Sequence, residues 1–234
     1  MTIVERADRT DFDLVTEDLY RDVHKGIRAE LFALVLEAGR LDPSVRTSRL
    51  ELADHIGSTV GLLVAHAEHE DTHVQPAIEV HVPDLAEKIA ADHHAIDARM
   101  DRLNDMAAAA RDASSADQGS HVHRLYLELA SFTSAYLEHQ DVEERVVMPA
   151  LEAAIGVESV VAIHQAIVGS MPPDEMGQGL AIMLPAMNVD ERAALLGGIR
   201  AGAPAPVFEG VWGLAGSVLA PADHAAVAAR LDLA

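Results

Sequence analysis

Apolar residues recur at helical spacing along most of this chain, and short polar stretches separate the runs. A first helix is predicted over about 11–39, with Tyr20, Val23, Ile27, Leu31, Leu34 and Ala38 on one stripe and His24 among them. Gly39 stops it, and Asp42-Pro43-Ser44 makes a turn and cap. A second runs over about 44–80 through Leu52, Ile56, Thr59, Leu63, His66, Glu70 and Val74, ending at His81-Val82-Pro83-Asp84. The third, about 84–110, carries Leu85, Ile89, His93, Ile96, Met100 and Leu103. After the polar run RDASSADQGS, a fourth spans about 118–155 through Leu125, Leu129, Phe132, Tyr136, His139, Glu143 and Val147. Four amphipathic helices with short connections predict an all-α, up-down-up-down four-helix bundle over residues 1–156.

Residues 157–234 read differently. Pro172-Pro173, Pro185, Gly197-Gly198, Pro204, Pro206 and Pro221 divide short Ala/Leu/Met-rich helices. Asn188-Val-Asp-Glu191 has the form of a capping box, and Pro221 opens a last amphipathic segment. This C-terminal helical extension is expected to pack on the bundle. A lid, a ligand tunnel or a homodimer surface is the alternative, for which Met171, Met176, Met183, Met187 and Trp212 are suited.

Composition narrows the chemistry. The absence of cysteine excludes thiolate zinc sites, iron–sulfur clusters and thiol catalysis, and fits a reducing compartment. The N-terminal stretch has no apolar core and no run of about 18 apolar residues follows, so a soluble cytoplasmic protein without a membrane partner is expected. A formal charge of −21 argues against nucleic acid, which needs clustered Lys and Arg.

The candidate chemistry lies in a repeat. Residues 66–79, HAEHEDTHVQPAIE, align without gaps on 139–152, HQDVEERVVMPALE, with His66/His139, Glu70/Glu143, Val74/Val147, Pro76/Pro149, Ala77/Ala150 and Glu79/Glu152 identical. A His and a Glu four apart stand one turn apart on one face of a helix. Upstream, His24-x-x-Ile27-x-Ala29 and His93-x-x-Ile96-x-Ala98 repeat on the preceding helices, so one helical hairpin is used twice.

An isolated His-x-x-x-acid pair carries little weight, since roughly two of the 13 His should show one by chance. Here four His and two Glu fall on inward stripes. An unpaired buried carboxylate costs several kcal/mol, and Arg28 is the nearest cation on those stripes. A dinuclear cation centre supplies the missing charge, with His24 and His66 on one ion, His93 and His139 on the other, and Glu70 and Glu143 between them. Imidazole and carboxylate without thiolate suit iron, with manganese or zinc as alternatives. A ferritin-like reading needs two Glu-x-x-His motifs; Glu70-x-x-His73 supplies one, but Glu143-x-x-Val146 does not supply the second.

A His on helix one, HxxxE followed by an acid and V-x-P on helix two, Asp92-His93-x-x-Ile96 on helix three and a second HxxxE on helix four resemble the hemerythrin-like, or HHE cation-binding, family over about residues 11–156. The resemblance implies a four-helix bundle holding a non-haem di-iron centre on His24, His66, Glu70, His93, His139 and Glu143. Oxygen-carrying members have a second His one turn further along helix three, where this chain has Asp97. Either Asp97 is a ligand or that ion has an additional open position. Both alternatives point away from reversible O2 carriage and favour oxidation, peroxide handling or sensing. The first function reading is a di-iron centre that binds or reduces O2, peroxide or NO. An oxygenase or oxidase for an organic substrate and a non-catalytic iron or redox sensor are the other readings. His94 competes with His93, His73 is a further pocket candidate, and Tyr20 and Tyr136 stand about one turn before His24 and His139. Glu68 and His69 are expected outward, and His55, His81, His121, His123, His164 and His224 have no partner spacing.

Overall fold

The computed structural model describes residues 14–233, and every regular element among them is helical. In chain order these are α1 (Arg21–Arg40), α2 (Arg46–His69), α3 (Gln75–His81), α4 (Pro83–Asp112), α5 (Gln118–Val142), α6 (Met148–Ile155), α7 (Val157–Ser170), α8 (Pro173–Ala186), α9 (Val189–Gly202), α10 (Ala205–Val218) and α11 (Pro221–Arg230). Two π turns, Glu70–Val74 and Glu143–Val147, join α2 to α3 and α5 to α6. The expected start of the first helix near residue 11 lies outside the described residues. Residues 14–20 are not helical; Asp18 Oδ1 accepts the amides of Tyr20 and Arg21 at 3.0 Å and thereby opens α1.

The chain forms two compact units. The first takes Leu31–Ser170 with the chain up to Arg21; the second takes Asp22–Glu30 with the chain from Met171 onward. In the first unit α4 packs on α2, α3 and α5, and α7 on α6 and the first π turn. Val74, Ile78, Ala86, Ile89, Val142, Val147 and Leu151 form one buried cluster there. Buried Arg49 ties the far ends of the helices together: its Nε donates to Ala110 O at 3.0 Å, and its Nη1 to Pro43 O and to Gln118 Oε1. Glu152, one of the repeated residues, binds the N-terminal segment by accepting the amides of Thr16 and Glu17.

The π turns follow from the repeated motif. Residues spaced by four on an α-helix drift roughly 40° per step, because each residue turns about 100°. His66, Glu70, Val74 and Ile78 have that spacing, and Glu70, Val74 and Ile78 are all buried. A wider turn takes up the drift. It closes with Gln75 N–H on Glu70 O in one half and Met148 N–H on Glu143 O in the other. Pro76 and Pro149 follow immediately. A helical proline cannot donate backward and crowds the carbonyl four residues earlier, so the preceding turn opens.

In the second unit α8, α9, α10 and α11 begin at Pro173, Val189, Ala205 and Pro221, sixteen residues apart each time. α10 packs on α8, α9 and α11, and α11 on α9, around Leu180, Leu184, Leu196, Ala215, Leu219 and Val227. The capping box read from Asn188 and Glu191 is present, with both reciprocal bonds. Buried Arg192 donates to Leu184 O at 2.7 Å and Pro185 O at 3.1 Å, the carbonyls that end α8. Among the described residues no single helix is long and apolar enough to cross a membrane.

Candidate metal centre

Six of the candidate ligands read from the stripes lie on α1 (His24), α2 (His66), the first π turn (Glu70), α4 (His93), α5 (His139) and the second π turn (Glu143). His24 is fully buried on α1, and Glu143, at 1% exposure, begins the second π turn. Glu70, His93 and His139 are each buried as well. Four of the predicted ligands converge: Glu70, His93, His139 and Glu143 each offer a donor atom, all within 4.8 Å of one another. His66 and Glu70 take part in a second such group, which makes Glu70 a shared residue.

The distances show how the halves meet. Within each HxxxE pair, His66 Nε2 lies 3.0 Å from Glu70 Oε1 and His139 Nε2 lies 3.2 Å from Glu143 Oε1. His93, from α4, reaches both carboxylates: its Nε2 is 3.3 Å from Glu70 Oε2 and 3.8 Å from Glu143 Oε1. The His93 and His139 rings stand edge to face at 4.9 Å. Buried His93 Nε2 nevertheless makes no hydrogen bond. A buried nitrogen surrounded by carboxylate oxygens and left without a hydrogen bond suits a cation between them, since an unsatisfied polar atom in the core costs about 1–3 kcal/mol.

The electrostatics agree. Burial works against charge on His93, but Glu143, Glu70 and Asp71 outweigh it and raise its pKa to about 11. Burial likewise opposes the charge on His139, and Asp92, Glu143 and Glu70 raise it to about 9. His66 is raised too, against burial, by Glu70 and Glu143. Burial and Glu70 both push the Glu143 carboxyl up, yet His139 and His93 hold it below its ordinary value. In the absence of a metal the site is thus built to hold positive charge, the charge that bound cations supply. Burial, and then the carboxylates Glu143 and Glu70, raise the pKa of Tyr20 and Tyr136 well above that of a free phenol. Both remain neutral hydroxyls beside the centre.

This donor set lies inside a stretch, residues 15–151, that matches the model of the hemerythrin HHE cation-binding domain. The chain belongs to the hemerythrin HHE cation-binding family. No curated protein and no solved structure matches it. As a hemerythrin-family domain it has cation binding as its family property, and the buried His/Glu cluster is where its own residues fit a metal.

The remaining candidates separate from the cluster. Asp97, expected as a further ligand or as the mark of an open position, is exposed on α4 and outside both groups, because the stripe turns inward through Ile96 and Met100. His94 is exposed while His93 is buried, which decides between those neighbours. His73 lies to one side: its Nε2 is 3.1 Å from Ser170 Oγ, and its ring stacks on His69 at 6.1 Å. Glu68 is exposed, His55 pairs with Glu37 at 2.7 Å, His164 pairs with Glu17 at 2.6 Å, and His224 lies 4.2 Å from the Trp212 ring.

Two residues near the centre escaped the sequence reading. Asp71, next to Glu70, has its Oδ1 2.9 Å from His93 Nδ1. Gln140, next to His139, is completely buried, and neither end of its carboxamide makes a hydrogen bond. Its signal was available: Tyr136, Gln140, Glu143 and Val147 are spaced 4, 3 and 4 apart on one helical face.

Proposed function

We propose that residues 1–156 form the four-helix bundle of a non-haem di-iron protein that binds or reduces O2, peroxide or NO. His24 and His66 hold one ion, His93 and His139 the other, and Glu70 and Glu143 bridge them. The convergence of Glu70, His93, His139 and Glu143 within 4.8 Å carries the reading. Two observations support His24 as the matching ligand of the other half. It is fully buried, and it follows by one turn Tyr20, whose hydroxyl feels Glu143 and Glu70. Iron bound there supplies a redox couple and open coordination positions for a small diatomic or peroxide ligand.

The surrounding residues do the rest. Neutral Tyr20 and Tyr136 can donate hydrogen bonds to a ligand that gains negative charge, and the apolar cluster around Val74, Ile78, Val142 and Val147 keeps bulk water out. The exposed position of Asp97 favours the alternative in which it is not a ligand. Two clefts, of about 340 and 330 Å³, are lined by Arg102, Asp105 and His121 in one case and Gly39, His123 and Tyr126 in the other, among neighbours, and neither brings an organic substrate to the donors.

The test is iron content after anaerobic loading with Fe(II). His66→Ala and His139→Ala should each lose at least half of the bound iron, whereas His121→Ala should keep all of it. Unchanged iron in both ligand variants would remove the assignment.

A further inference from the structure

We propose that Asp71 is a positioning residue for the metal centre: its carboxylate accepts the Nδ1–H of His93 and so turns His93 Nε2 toward Glu70 and Glu143. The inference rests on the metal reading above and adds a residue that touches no ion. An imidazole that ligates through Nε2 must carry its proton on Nδ1, and the group that accepts that proton fixes both tautomer and ring rotation. Asp71 Oδ1, 2.9 Å from Nδ1, is placed to accept it. On the other side of the same ring, Nε2 is 3.3 Å from Glu70 Oε2.

Both sides of the His93 ring are therefore met by consecutive residues of one π turn, Glu70 and Asp71. Neighbours on an α-helix point about 100° apart, which would carry Asp71 away from the ring. Here Asp71 nonetheless reaches the ring. Its side chain stays 57% exposed, so its charge keeps most of its hydration while it reaches inward. His139 has no equivalent: its Nδ1 is buried without a hydrogen bond, and Asp92 Oδ2 stands 4.0 Å away. Of the two His proposed for one ion, His93 has its acid within hydrogen-bond distance and His139 has one farther off. The grip also crosses the repeat, since the acid of the first hairpin orients the His that opens the second.

The experiment titrates metal-free wild type, Asp71→Ala and Asp71→Asn with Fe(II) under anaerobic conditions, and compares melting temperatures of the metal-free forms. Loss of an outer hydrogen bond to a ligand His lowers metal affinity about 10–100-fold. Asp71→Ala is expected in that range for one of the two ions. Asp71→Asn, which keeps an acceptor oxygen, should fall between Ala and wild type, and both variants should remain folded without metal. In zinc-loaded protein, the His93 Nδ1–H nitrogen–proton signal should persist in wild type and exchange away in Asp71→Ala. Wild-type Fe(II) affinity in Asp71→Ala would overturn the role of Asp71 alone, and so would a loss traced to unfolding of the metal-free variant. A wild-type chain that takes up no Fe(II) would overturn the metal reading itself.

Discussion

Buried charge governs this protein at the scale of single residues. Glu70 and Glu143 lie near each other in a core where like charges repel, and His93, His139 and His66 are all raised in pKa by that pair. Helical periodicity and the rule that buried carboxylates need a cation made these residues legible in the sequence. Asp97, one turn past His93, is close to but not on the buried line through Ile96 and Met100, and periodicity alone left its role open. Gln140 was missed because glutamine on an inward face has no metal chemistry to announce it. Its orphaned carboxamide makes a prediction. Replacing a buried unsatisfied polar side chain with an apolar one of similar size removes a desolvation cost of about 1–3 kcal/mol. Gln140→Leu should therefore stabilise the metal-free protein by about 1–2 kcal/mol in urea denaturation. A destabilisation of that size would mean that the amide has a partner in solution.

At the scale of elements, the π turns decide where ligands point. The repeated Glu-x-x-x-Val-x-Pro segments hold the information, yet helical periodicity alone reads them as ordinary helix. The proline cost and the fourfold spacing act together, and neither is decisive alone. Asp71, the second residue of the first π turn, reaches the His93 ring although its side chain is more than half exposed. Pro76→Ala should let the turn close toward α geometry. The metal-free helix then gains stability, up to about 3 kcal/mol by the propensity difference, while Fe(II) affinity falls because Glu70 and Asp71 rotate from His93. Calorimetry on both forms measures the pair of effects. A variant with higher stability and unchanged affinity would show that packing, not proline, holds the turn.

For the whole molecule, duplication explains both what was legible and what was not. The hairpin that carries the candidate ligands occurs twice in the sequence, so two copies of one motif pointed to the site. The sixteen-residue repeat of α8–α11 has no shared chemistry, only a period in where helices start, and the spacing of prolines alone did not expose it. Contact between residues far apart in sequence also groups Asp22–Glu30 with the chain from Met171, which periodicity along a single helix cannot foresee. A metal that binds the folded state alone should stabilise it by mass action.

The central claim, a paired iron centre on the duplicated His/Glu set, meets its most direct test in one sample. Protein purified anaerobically with Fe(II) is assayed for metal, and its absorption spectrum is recorded before and after air, peroxide and azide. Two irons per chain, with charge-transfer bands that arise on oxidation and shift with azide, are the predicted result. A single zinc ion, or no metal with unchanged stability, would contradict it.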